Sequence, residues 1–310
     1  MRLTLSAGPA QFADGYEMLD PALIANAVVS GLLLGCLYAI ASMGLAVSFG
    51  MLDVVNIAHP AMMVLASCVI AALCAPTGLD PLLAALLIAP VFGLMGAGLY
   101  RLYYQYFERR GDEAMQGLAF FFGLMIVIEV SLVLVYGADQ RWVETGYGGR
   151  SLGLGPVDLP LRMLLPALMS LACIAALLLW LRRSFTGRAV AAVAQDRDAL
   201  RFLAVDPVRI KTVAFGLSVA LAAIAGGCLI VVQPVDAHSG HVFIGRILAV
   251  VILAGLGSLP GTLVAALIFG VIENVTATLF GPAWSPAVAF SLLLAVLALR
   301  PQGMFGRAHG

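Results

Sequence analysis

Apolar residues fall in nine runs along the chain, at 22–49, 54–73, 81–100, 117–136, 161–181, 210–232, 242–256, 261–280 and 286–299. A helix needs roughly 20 such residues to cross the hydrocarbon core of a bilayer. The runs at 242–256 and 286–299 fall short of that length and read as half-helices, tilted pieces or extensions of their neighbours. An acidic residue or serine precedes proline at Asp20-Pro21, Asp80-Pro81, Asp206-Pro207 and Ser285-Pro286. Each pair offers an N-cap oxygen followed by a ring suited to the first helical turn, so four helix starts are predicted there. The pattern predicts an all-α integral membrane protein, a polytopic helical bundle of about eight transmembrane helices with broken or half-helices. It reads as one transmembrane domain over 1–310, with 1–21 as an N-terminal tail and 182–211 as a cytoplasmic segment. The first twenty residues lack a basic patch followed by an apolar core, so no cleavable signal peptide is expected.

Composition agrees with that class: 62% of the 310 residues are hydrophobic and 11% are charged, against about 25% charged in soluble domains. The formal net charge is zero, which leaves no basic field for nucleic acid. Charge placement says more. Twelve basic residues, among them Arg101, Arg110, Arg183, Arg197, Lys211 and Arg300, lie in one set of loops and span ends. The opposite set holds Arg141, Arg150 and Arg162, with Arg246 at a span edge. Positive charge marks the cytoplasmic side, which puts 139–160 outside and, counting spans backwards, the acidic tail with Asp14 and Glu17 outside too. Lys211 is the sole lysine, and no Gly-Lys-Ser/Thr occurs, so a phosphate-cradling loop is excluded and any driving ATP binds another subunit. The five cysteines sit in apolar runs without a C-x-x-C pair and read as small buried hydrophobes, neither disulfides nor metal ligands.

Several interruptions carry candidate chemistry. The first apolar run stops at Phe49-Gly50, passes through Asp53, Asn56 and His59-Pro60, and resumes. This is either a cytoplasmic hairpin with Asp53 and Asn56 as turn residues or a helix broken within the membrane, the arrangement that forms binding sites in transporters. Glu129 and Glu273 lie within apolar runs, where ionisable groups are costly and so become functional candidates. With Asn56 and His59 they form the candidate translocation pathway; Glu129 also suits a structural interhelical hydrogen bond or proton coupling. Gly255, Gly257, Ser258 and Gly261 flank Pro260 in a tight turn between two apolar helices. His238 and His241 stand in an external loop as H-x-x-H, which without a third strong ligand reads as a solvated loop. The span 186–205 reads as a solvated cytoplasmic loop that follows the positive-inside bias or, better, as a short helix for docking a soluble partner, with Arg188, Gln195 and Asp198 exposed and Val190 and Val193 burying the contact.

The series Gly31-x-x-x-Gly35-x-x-Tyr38-Ala39, Gly44-Leu45-x-x-x-Phe49-Gly50 and Asn56-x-Ala58-His59 resembles the N-terminal signature of LivH-type permeases of branched-chain amino acid ABC importers. The segment from Arg188 to Lys211 is similar to that family's coupling loop, and the turn at Gly255 and the ending from Arg300 to Gly306 resemble its later motifs. Pro60 and Ala61 replace the usual glycine and acidic residue, so any family role of that acid is absent; Glu129 stands where relatives commonly carry glutamine. The resemblance implies a multi-pass subunit of the bacterial inner membrane, itself neither enzyme nor cofactor carrier, that translocates branched-chain or related amino acids by alternating access. It implies as partners a LivM-like second permease, two ATP-binding subunits, an extracytoplasmic solute-binding protein and membrane lipid. An ion-coupled secondary transporter using Glu129 or Glu273 and a passive channel are the rival classes. The solute (branched-chain amino acid, urea, amide or aromatic acid) and the choice of homodimer or heterodimer stay open.

Overall fold

The computed structural model describes residues 21–52, 54–110, 113–155, 157–193, 206–300 and 302–306. Among these, seven helices are long and apolar enough to cross a membrane. They are α1 (Pro21–Leu52), α2 (His59–Thr77), α3 (Pro81–Tyr106), α4 (Glu113–Tyr136), α5 (Leu161–Arg183), α7 (Pro207–Val232) and α9 (Leu259–Phe280). Three shorter helices, α6 (Phe185–Val193), α8 (Ser239–Ala254) and α10 (Ser285–Leu299), fill in around them. The two short apolar runs are thus the short helices α8 and α10.

Two of the predicted starts are capped as the aspartates require. Asp80 accepts from Leu82 N at 2.9 Å, and Asp206 accepts from Val208 N at 2.9 Å. Ser285 behaves differently: it lies inside α10, and its hydroxyl donates to the Glu273 carbonyl on α9 at 3.0 Å, while Trp284 holds the N-cap position without a side-chain bond. A buried hydroxyl facing another helix finds its acceptor there instead of at its own N-terminus. Asp20 lies outside the described residues.

Burial ranks the helices. The most apolar window of α7 is 89% buried, whereas that of α4 is 22% buried, so α7 forms the centre and α4 an exposed edge. Small residues put α7 there. A Cβ on Gly216 would meet the Gly93 carbonyl of α3 at 2.7 Å, and one on Gly226 would meet Ala66 of α2 at 3.0 Å. The same device brings α1 against α9, where a Cβ on Gly31 would lie 2.7 Å from the Val271 Cα and one on Gly270 2.6 Å from the Gly35 Cα. These helices meet backbone to backbone, as small residues allow in a membrane.

The ends of the bundle sort the charges as the arginine pattern predicts. Lys211 pairs with Glu108 at one end. At the other, Arg141 and Val235 exchange backbone hydrogen bonds of 2.8 and 2.9 Å, and Arg162 donates to the Val232 carbonyl. That second end also holds a feature absent from the sequence reading, an antiparallel hairpin of β1 (Ser151–Leu154) and β2 (Val157–Pro160). Its β2 amide at Asp158 donates to the Asn26 side chain of α1 at 2.9 Å.

The α1–α9 contact predicts a directional stability change. Gly31→Val should cost about 1–3 kcal/mol through overpacking, read as a lower thermal midpoint of the purified protein. Gly98→Val, at a glycine with open space around its Cβ, should leave the midpoint unchanged.

Candidate functional site

The chain between α1 and α2 does not form a solvated hairpin. Ser218 lies eleven residues into α7, about 17 Å from its start at 1.5 Å per residue. At that depth the Ser218 hydroxyl donates to the Gly44 carbonyl of α1 at 2.6 Å. His59, the first residue of α2, occupies the same level because Gly44 has no side chain; a Cβ there would lie 2.5 Å from the imidazole Cε1. The break therefore re-enters the bundle, and both Asn56 and His59 are fully buried. His59 Nε2 lies 3.0 Å from the Ala41 carbonyl and donates to it, which leaves Nδ1 as an acceptor. That Nδ1, both polar atoms of the Asn56 side chain and the Ser42 hydroxyl have no hydrogen-bond partner. An unsatisfied buried polar group costs about 1–3 kcal/mol. The break is thus a buried patch of spare donors and acceptors inside an apolar bundle. Asp53 lies outside the described residues.

The other two pathway candidates are paired, and their three partners come from α8 or the turn before it. Glu273 on α9 takes Arg246 Nη2 at 2.7 Å. The guanidinium also lies 5.6 Å from the Phe243 ring centroid and 6.0 Å from that of Tyr38 on α1. Glu129 on α4 binds His238 through one carboxylate oxygen and His241 through the other, the latter at 2.7 Å. The two histidines read separately from Glu129 in the sequence are its partners. Each imidazole takes its own oxygen, and among the described residues no group of three or more His, Cys, Asp or Glu is placed to hold a metal ion. The five cysteines are free thiols.

The far end of α8 is fixed by backbone. Gly255 and Gly257 have φ of +91° and +84°, values that favour glycine. Ser258 Oγ accepts from Gly261 N at 3.2 Å and so caps α9. Met304 N donates to the Leu253 carbonyl at 2.8 Å and Phe305 N to that of Ala254 at 2.9 Å, so the segment 302–306 is laced onto this turn. Gly50 completes the cluster, because a Cβ on it would lie 2.6 Å from Gly257 N. The end of α1, the glycine turn and the C-terminal motif, separate in sequence, form one junction.

At the Lys211 end, Glu108 is shared: Lys211 pairs with one oxygen, and the Tyr100 hydroxyl donates to the other at 2.7 Å. The two charged side chains are 4% and 9% exposed, so this is a buried clamp between the end of α3 and the start of α7. Beside it, α6 begins with Gly187 N donating to Ser184 Oγ at 2.9 Å. Arg188 is exposed on α6 as expected, but Val190 is fully buried in the chain's own core and fastens α6 instead of presenting an outward contact. Gln195 and Asp198 lie outside the described residues; Val193 is the last residue of α6.

Arg246 is the site residue the sequence reading passed over. One signal pointed to it: a charge within an apolar run needs an opposite charge at membrane depth, and Glu129 and Glu273 were the available acids.

The chain matches the family described as branched-chain amino acid transport system, permease component, over residues 27–297. It is similar to the high-affinity branched-chain amino acid transport system permease protein BraD of Pseudomonas aeruginosa, at 28% identity over 90% of this chain and 95% of the relative. The LivH proteins of Salmonella typhimurium and Escherichia coli, of the same description, are each 25% identical over 90% of this chain and 94% of their own length. No solved structure gives a significant match.

The buried clamp supplies a test of this geometry. Lys211→Met strands the Glu108 carboxylate and should cost about 3–5 kcal/mol, whereas Lys211→Met with Glu108→Leu should recover most of that loss. Thermal unfolding of the purified variants measures both.

Proposed function

Because the chain belongs to the branched-chain amino acid transport permease family, we propose that it is the transmembrane subunit of an ATP-driven importer of the bacterial inner membrane, carrying branched-chain or related amino acids. The observation that supports this most is the re-entrant break, which sets Asn56 and His59 with unspent hydrogen-bonding capacity in the middle of an apolar bundle. A purely structural core has no use for that capacity; a path for a polar solute has. Asn56, His59, Glu129 and Glu273 are the pathway residues of this reading.

The chain has no Gly-Lys-Ser/Thr to hold nucleotide, so the energy enters through partners: two ATP-binding subunits, a second LivM-like permease and an extracytoplasmic solute-binding protein. The ATPases dock at the Lys211 end, which the excess of basic residues assigns to the cytoplasm. There α6 offers exposed Arg188 while buried Val190 ties it to the bundle. A helix gripped from inside and exposed outside transmits a push to the bundle it is fastened to.

Arg188→Glu should leave the protein in the membrane at normal abundance, reduce co-purification of the ATPase subunits severalfold and lower uptake in parallel. Full assembly and full uptake in this variant would remove α6 from the coupling path. Uptake into vesicles that persists without the ATPases and collapses with a proton ionophore would establish the secondary-transporter alternative.

A further inference from the structure

We propose that the Arg246–Glu273 pair is the recognition element for the two charged poles of a zwitterionic amino acid: the guanidinium takes the solute carboxylate and the glutamate takes its ammonium. The proposal rests on the permease reading and assigns to two residues of this chain the recognition of the amino acids that reading names.

The pair joins two helices at membrane depth. Glu273 lies fourteen residues into the 22-residue α9, and Arg246 lies in the short α8. One oxygen, Oε1, binds Arg246; the other, Oε2, is buried and makes no hydrogen bond of good geometry, with the Tyr38 hydroxyl beside the same carboxylate. The Arg246 side chain is 20% exposed against 7% for Glu273, so the guanidinium is the approachable member. Phe243 and Tyr38 offer their rings to it, and such rings hold a guanidinium in place when its carboxylate partner changes.

Opening a buried ion pair is costly because it strands two charges in low dielectric. A zwitterion avoids that cost, since its carboxylate matches the planar fork of Arg246 while its ammonium donates to Glu273, Oε2 included. Each buried charge then keeps an opposite partner throughout the exchange. A simple carboxylic acid or an amine satisfies one member and strands the other. Urea or a neutral amide compensates neither. The pair therefore selects zwitterions by the requirement that no buried charge be left alone.

A pair that merely fastens α8 to α9 would look the same at rest, so the test separates the two roles. The complete transporter, with its second permease, ATPases and binding protein, is reconstituted in sealed vesicles with leucine as the probe. Glu273→Gln, Arg246→Gln and the exchanged Arg246→Glu/Glu273→Arg, which alone of the three strands neither charge, should each lower leucine uptake per assembled transporter by about tenfold or more, the equivalent of one lost charged contact. Recovery of uptake in the exchanged variant would show that the pair is only a fastening and overturn the proposal. A second measurement needs no variant: the thermal midpoint of the detergent-solubilised wild-type permease is recorded with leucine, leucinamide, 4-methylpentanoate or urea at about 10 mM, where a bound ligand raises it by mass action. Leucine alone should raise it. An equal rise with any of the other three, or none with leucine, overturns the proposal. Failure of the unmodified chain to assemble with ATPase subunits would sink the importer reading instead, so the two failures are distinguishable.

Discussion

Hydrocarbon neither donates nor accepts a hydrogen bond, and the arrangement of this bundle follows from that constraint. Helices enclose most of the backbone polarity. Where the chain must leave the helix, at the break before His59 and at the turn around Gly257, it does so against other protein: Ser218 and Gly44 cover the first, and Gly50 with the 302–306 strip covers the second. Charges inside the bundle are joined, Arg246 to Glu273 and the two histidines to Glu129. Against that background the unspent atoms of Asn56, His59 and Ser42, together with Oε2 of Glu273, stand out, and buried polar atoms of this kind belong to function more readily than to folding.

The short helix α8 is held in two different ways. At its C-terminal end, backbone hydrogen bonds to Met304 and Phe305 and the glycine contacts leave little freedom. Toward its N-terminal end, side-chain pairs to α4 and α9 add to the packing of Gly240 on Ala61 and the burial of Phe243 and Ile247. This short helix packs against α2 and α9, which carry His59 and Glu273, and reaches Glu129 of α4 through His238 and His241, so it links three of the four candidate residues.

Span positions were readable because a bilayer imposes one length on every apolar run, and the two runs that fell short are the two helices that are short. The caps of Asp80 and Asp206 were readable because an aspartate before proline has a local acceptor role. Ser285 misled for the complementary reason, since its acceptor is twelve residues away in another helix. The same limit hid the pairing of Glu129 with His238 and His241, more than 100 residues apart, and the partner of Glu273. Family resemblance marked Asn56 and His59 through their motif, but their depth depended on Gly44 making room, which only the packing reveals. Val190 shows the converse. Its helical spacing suggested a surface for a partner, while the space beneath α6 took it inward.

The contact of Gly31 and Gly35 with Gly270 joins the first membrane helix to one of the last. A ribosome adding roughly 5–20 residues per second needs on the order of 10–50 s to travel from one to the other. Throughout that interval α1 sits in the membrane with its glycine face uncovered, because the helix that fits it has not yet been made. Biogenesis of this protein is therefore a waiting problem: the cell must shield an unmatched surface for most of the time of synthesis, and the insertion machinery that receives α1 must either keep hold of it or release it into lipid and let α9 find it later.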